Sequence, residues 1–248
     1  MKVSLASATP LLAALLWVTA LLVDPGPLAP GSVLLIGIGL LGVASVAVVG
    51  IIVTGGTWAR RTALVVVALT ATIAVIRPID PLWAIALAAT AVAGVAVSSD
   101  SVTRSTRKLP AAAGLPARAV LVPLLLVGFP FVFGLAAWDE PTAGTMVVGI
   151  SAPIAALWYA RVLPGGLAAV RLLWPALAVG LSITDGLVPG ALSLSGGLLV
   201  AVLAWHPSVK HAFHPPRQVG TSFPIPPELA PKAVLDAAKL DERGRPRT

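Results

Sequence analysis

"SVLLIGIGLLGVASVAVVGIIVT", residues 32 to 54, holds neither a charged side chain nor a proline. A hydrocarbon core about 30 Å thick is crossed by roughly 20 helical residues, so this stretch suffices to span a bilayer. Strands of a membrane barrel read instead as segments of about ten residues alternating apolar and polar, and no such alternation is present here. In lipid every backbone amide must be satisfied internally, which leaves a helix as the expected form.

Seven further apolar blocks lie around it, at 4–23, 62–76, 81–98, 119–138, 145–160, 166–184 and 187–205. The expected fold is an all-α polytopic membrane protein: eight transmembrane helices in four hairpins over residues 1–205, followed by a polar tail, 206–248. Composition agrees, since 57% of the chain is hydrophobic and 11% charged, against about a quarter charged in soluble domains. The first block could also be read as a cleaved signal peptide, but it runs into "LLVDPGPLAP" without a small-x-small cleavage site.

Basic residues are retained on the cytoplasmic side of short loops, which tests the count independently. With the N-terminus inside, the inner segments carry Lys2, then Arg60 and Arg61, then Arg104, Arg107, Lys108 and Arg118, then Arg161, and last the tail with Lys210, Arg217, Lys232, Lys239, Arg243, Arg245 and Arg247. The outer loops carry only Arg77 among bases and hold Asp24, Asp80, Asp139, Glu140 and Asp185. Both termini are therefore expected in the cytoplasm. Trp58, Trp158 and Trp205 fall near the inner boundary, and Trp83 and Trp138 near the outer one, where interfacial aromatics belong. The net charge of +7 reads as an excess facing anionic headgroups on the cytoplasmic face of the bilayer. The bases are scattered among loops without interleaved aromatics, so no nucleic-acid partner is expected. The Ala, Val, Leu, Gly and Pro bias with few lysines is that of a GC-rich bacterial genome, and the inner membrane is the expected location.

The chain has no cysteine, which excludes disulfides, thiolate catalysis and Cys-ligated clusters. No Asp or Glu falls inside an expected span, whereas proton relays and cation-coupled transport usually need such groups. No cofactor is expected. His206, His211 and His214 in "HPSVKHAFH" are weak metal candidates, lacking an acid or cysteine to complete a set.

Arg171 stands out as a charge inside an apolar run. Its Cα lies six residues beyond Gly165, which at about 1.5 Å per residue is roughly 9 Å into the helix. It can snorkel to the interface, or turn inward toward a backbone carbonyl, a lipid phosphate or an anionic ligand. Trp174 and Pro175, one turn deeper, read as a packed kink that could shape a cavity beside it. Phe129, Pro130, Phe131 and Phe133 in "GFPFVFG" either line an apolar passage or pack at a kink. Ser151 beside Pro153 is a ligand contact or a donor to a backbone group freed by the proline. Small residues spaced by four, Ala86, Thr90, Gly94 and Ser98 in the fourth block and Pro189, Ser193, Gly197 and Ala201 in the eighth, mark expected helix seams. Those rows also raise a duplication of four spans plus four.

The tail carries eight prolines. Phe223, Pro224, Pro226 and Pro227 in "FPIPPELAP" form an extended stretch suited to docking a protein partner, ahead of a short helix expected near 231–243. Three functions are compatible with these residues: a non-catalytic subunit or scaffold of a membrane complex, a transporter or flippase for a neutral, apolar or anionic compound using spans five to seven and Arg171, and a lipid-modifying enzyme built on converging loop acids.

Overall fold

A computed structural model describes residues 7–54, 56–76, 79–106, 117–160, 165–207 and 209. Within these residues the regular structure is helical, without strands. In chain order the helices are α1 (Thr9–Val23), α2 (Pro30–Val49) continuing into a π-helical turn (Gly50–Thr54), α3 (Thr57–Ile76), α4 (Pro81–Ser98), α5 (Asp100–Ser105), α6 (Ala117–Ala136) and α7 (Ala143–Ala160). Then α8 (Gly166–Ala168), a second π-helical turn (Ala169–Leu173) and α9 (Trp174–Leu181) run on without a break, and α10 (Leu187–Trp205) follows.

Five of these segments are long and apolar enough to cross a membrane: Pro30–Ile52, Thr57–Ile76, Pro81–Ser98, Ala143–Ala160 and Leu187–Trp205. The chain is accordingly a membrane protein. Thr9–Val23, Val120–Ala136 and Gly166–Leu181 are apolar but shorter. Two boundaries differ from expectation in an instructive way. The third and sixth blocks, expected to begin at 62 and 145, begin at Thr57 and Ala143. A hydropathy boundary stops at Arg60 and Arg61, but a helix does not, because long basic side chains let the backbone continue past the apolar region.

Local chemistry sets several starts. Pro30 and Pro81 open α2 and α4, at a position where the missing N–H would have no helical partner. Asp80 caps α4 by accepting the Trp83 N–H, satisfying an orphan donor of the first turn. The turn between α1 and α2 places Gly26 at φ 59, a left-handed conformation that glycine adopts without steric cost.

The helices pack as two rings of four. α1 lies against α2 and α4, and α3 against the same two; α6 lies against α7 and α10, and α9 against the same two. α2 joins the rings through its contact with α6, the most extensive helix pair. Here the backbones approach closely: a Cβ on Gly39 would run into the Phe131 amide nitrogen, and one on Gly134 would stand 2.7 Å from the Ser32 carbonyl oxygen. Val127 covers Gly42, and the Ser32 hydroxyl donates to Ala137 O at 2.6 Å. Residue numbers rise on α2 as they fall on α6, so the pair is antiparallel. Without a hydrophobic drive between helices in lipid, close approach through small residues is what supplies attraction.

Candidate functional site

Hydrogen bonds between loops also order the ends of the helices. The Ala29 N–H donates to Trp138 O, joining the α1–α2 turn to the end of α6, and the Thr142 hydroxyl donates to Asp185, joining the start of α7 to the α9–α10 turn. Asp24, Asp80, Asp139, Glu140 and Asp185 thus belong to one end of the molecule. At the other end Arg60 of α3 meets the finish of α4, and Arg171 meets the finish of α10.

Arg171 sits in the π-helical turn, half-buried. Pro175 has no N–H to give Arg171 O, the acceptor four residues earlier, and the ladder slips: the Trp174 N–H reaches back to Ala169 O instead. The Arg171 carbonyl is met by the indole N–H of Trp205 at 3.4 Å. In return, Arg171 Nε–H donates to Ala204 O at 2.9 Å, and its guanidinium lies 5.0 Å from the centre of the Trp205 ring. Ala204 is the next-to-last residue of α10, whose final carbonyls lack helical donors. A cation there also meets the negative end of the helix dipole.

Trp174 is buried and donates its indole N–H to Val148 O of α7 at 3.3 Å. Ser151 donates to the same carbonyl at 3.1 Å. Pro153 withdraws the amide that would serve Gly149 O, the carbonyl one residue after the one these donors share. Phe129 stacks on Trp174 with centroids 5.2 Å apart and on Phe133 at 5.7 Å. Phe131 and Phe133 are fully buried, as are Pro130 and Pro175. Phe129 stacks between Phe133 and Trp174 and reaches Gly196 of α10, while Phe131 packs separately against Gly39 of α2.

The two rows of small residues are placed differently from each other. On α4, Ala86 and Thr90 are buried, Gly94 is half-buried against Val67 of α3, and Ser98 is exposed. The buried register continues through Ala93 and Val97, because a strict spacing of four overshoots a helix of 3.6 residues per turn and drifts off the face. Thr90 accepts the Trp17 indole N–H at 2.8 Å and donates to Ala86 O. On α10, Ser193 and Gly197 are buried and Pro189 and Ala201 half-buried; Gly197 admits Pro175 and Ala178 of α9, while its neighbour Gly196 admits the Phe129 ring.

Asp185 and Arg60 carry contacts that composition and spacing did not single out. One Asp185 carboxylate oxygen accepts Thr142 and the other accepts the buried Ser193 hydroxyl at 3.3 Å, while Thr142 also caps Thr145 N–H at 3.1 Å. Asp185, one of the loop acids, is half-buried and ties α7 to α10. Arg60 Nε–H donates to Val97 O at 3.1 Å, and Val97 is next to last in α4. The signal for both was their position beside a helix end, which by itself names no partner.

Two other loop acids bond within their own turns: Asp24 accepts Gly26 N–H and Asp80 accepts Trp83 N–H. Among the described residues no three His, Cys, Asp or Glu side chains come together at metal-binding distance. His206 follows the end of α10. His211, His214, the docking stretch Phe223, Pro224, Pro226 and Pro227, and the segment 231–243 lie outside the described residues. Set beside protein-family models, curated proteins and solved structures, the chain matches none of them.

Proposed function

We propose that the chain crosses a bacterial inner membrane eight times, with both termini cytoplasmic, and serves as a non-catalytic subunit or scaffold whose tail contacts a protein partner. The carrying observation is that the side chains best suited to chemistry in the spans are committed to holding helices together. Arg171 binds the end of α10, Trp174 and Ser151 donate to Val148 O of α7, Phe129 stacks on Phe133 and Trp174, and Phe131 packs against α2. The separation of the outer-loop acids from Arg60 and Arg171 at opposite helix ends supports the orientation through retention of bases on the cytoplasmic side. The count of eight takes the shorter apolar helices Thr9–Val23, Val120–Ala136 and Gly166–Leu181 as spans too, which a bilayer can meet by local thinning.

One observation favours the transporter or flippase reading: the π-helical turn that carries Arg171, since such turns recur at functional sites. Purification of the tagged chain in mild detergent, compared with a version truncated after Pro215, separates the two. A stoichiometric partner lost on truncation is the expected result. A lone, folded, monodisperse protein in both samples would sink the scaffold reading and turn attention to transport.

A further inference from the structure

Arg60 and Arg171 occupy corresponding places in the two rings. Each lies near the start of the third helix of its ring, and each gives its Nε–H to the next-to-last carbonyl of the fourth. Both lie at the same end of the molecule, since α2 and α6 run antiparallel and the acids occupy the opposite end. A guanidinium carries five N–H donors in a planar fork. Among the described residues no acceptor meets the remaining donors of either arginine. Trp205 beneath Arg171 is exposed and Trp58 near Arg60 is half-buried, which sets both forks at the depth of interfacial aromatics.

We propose that Arg60 and Arg171 form two equivalent sites for the phosphodiester of an anionic phospholipid, one in each ring. Geometry makes the arginine indispensable. A helix C-terminus repels an anion, and only a side chain bonded to the carbonyl on one edge and free on the other can bring a phosphate to it. Arginine does both at once because its fork matches phosphate oxygens with two parallel bonds. Lysine offers a single ammonium on a flexible stem; it can hold the carbonyl or the lipid without fixing both.

The site rests on the membrane reading given above, but its test is made in detergent, where orientation plays no part, so the inside–outside assignment can fail without it. The full-length protein, delipidated and titrated with phosphatidylglycerol under native mass spectrometry, is expected to hold two tightly bound lipids. Arg171→Lys is expected to hold one, Arg60→Lys one, and the double variant none, each lost lipid weakening by about tenfold, as for loss of a charged hydrogen bond. Size-exclusion profiles keep folding separate from binding, and should Arg171→Lys aggregate, Arg60→Lys carries the same expected loss. Two lipids on the double variant would overturn the proposal, as would displacement of the lipid by equimolar inorganic phosphate, which would assign the fork to free phosphate.

Discussion

The ring formed by α1 to α4 and the ring formed by α6 to α10 share their order of helix neighbours and their arginine latch, yet they keep their helices by different means. The interiors of α2 to α4 contain no proline, and the side chains that reach backbone there, Arg60 to Val97 O and Trp83 to Ala74 O, meet ladders that proline does not interrupt. A side-chain bond, Trp17 to Thr90, joins α1 to α4. The second ring carries Pro123 and Pro130 in α6, Pro153 in α7 and Pro175 at the start of α9. Trp174 donates to Val148 O and Trp205 to Arg171 O there, as Trp83 donates to Ala74 O in the first ring. Where Pro175 removes an amide, Arg171 O becomes available, and Trp205 of α10 is anchored to it. The π-helical turn before Pro175 is thus one means by which α9 is tied to α10.

The comparison breaks most completely where the rings meet. Gly134→Val is expected to force α2 and α6 apart, because its side chain begins 2.7 Å from Ser32 O, and to cost at least the upper end of the roughly 1–3 kcal/mol typical of overpacking. Thermal unfolding followed by size exclusion reads this out, with Gly180→Ala as the control, since nothing lies within 4 Å of that glycine's Cβ position. Equal stability of the two variants would mean that the seam is not what joins the rings.

The latches come next. Arg171→Ala is expected to destabilise more than Arg60→Ala, by about 1 kcal/mol, because it removes the contact with the Trp205 ring as well as the charged hydrogen bond. Denaturant titration of both purified variants checks the order, and a larger loss for Arg60→Ala would reverse the assignment of the stronger latch.

Smallest is the pair of indole substitutions. Trp174→Phe leaves Val148 O with the Ser151 hydroxyl, and Trp17→Phe leaves Thr90 still bonded to Ala86 O. Each is expected to cost about 1 kcal/mol or less, the net worth of one neutral hydrogen bond. Melting temperatures that fall together would place the two bonds on equal terms. A much larger drop for Trp174→Phe would show that the proline-interrupted ladder depends on its outside donor.

Much of the architecture could be read from the chain because a bilayer imposes a length. Runs such as 32–54 and 187–205 are helices for the same reason they are apolar: lipid leaves their amides no other partner. Breakers at Asp80-Pro81 and the turn at Gly26 were legible through local chemistry. Arg171 was visible as a charge in an apolar run, and a backbone carbonyl was among the partners its burial allowed. Which carbonyl, and that Arg60 does the same in the other ring, was not. The small-residue row on α4 was legible in type but its lower end was not, since Ser98 is exposed while Ala93 and Val97 continue the buried face.

By itself, then, the sequence determined that this is a helical membrane protein, roughly where the described helices begin and end, and that Asp24, Asp80, Asp139, Glu140 and Asp185 fall in the turns between them. Those properties follow from hydropathy, backbone hydrogen bonding and turn chemistry, which act over a few residues or across one bilayer thickness. Only the tertiary structure decided that α2 joins the rings through Gly39 and Gly134, that Asp185 binds Thr142 and Ser193, and that two arginines hold two helix ends. Each of these contacts joins residues far apart in the chain or on separate helices, and in lipid the choice of helix partners rests on shape and on single polar bonds, which leave no periodic trace in the sequence.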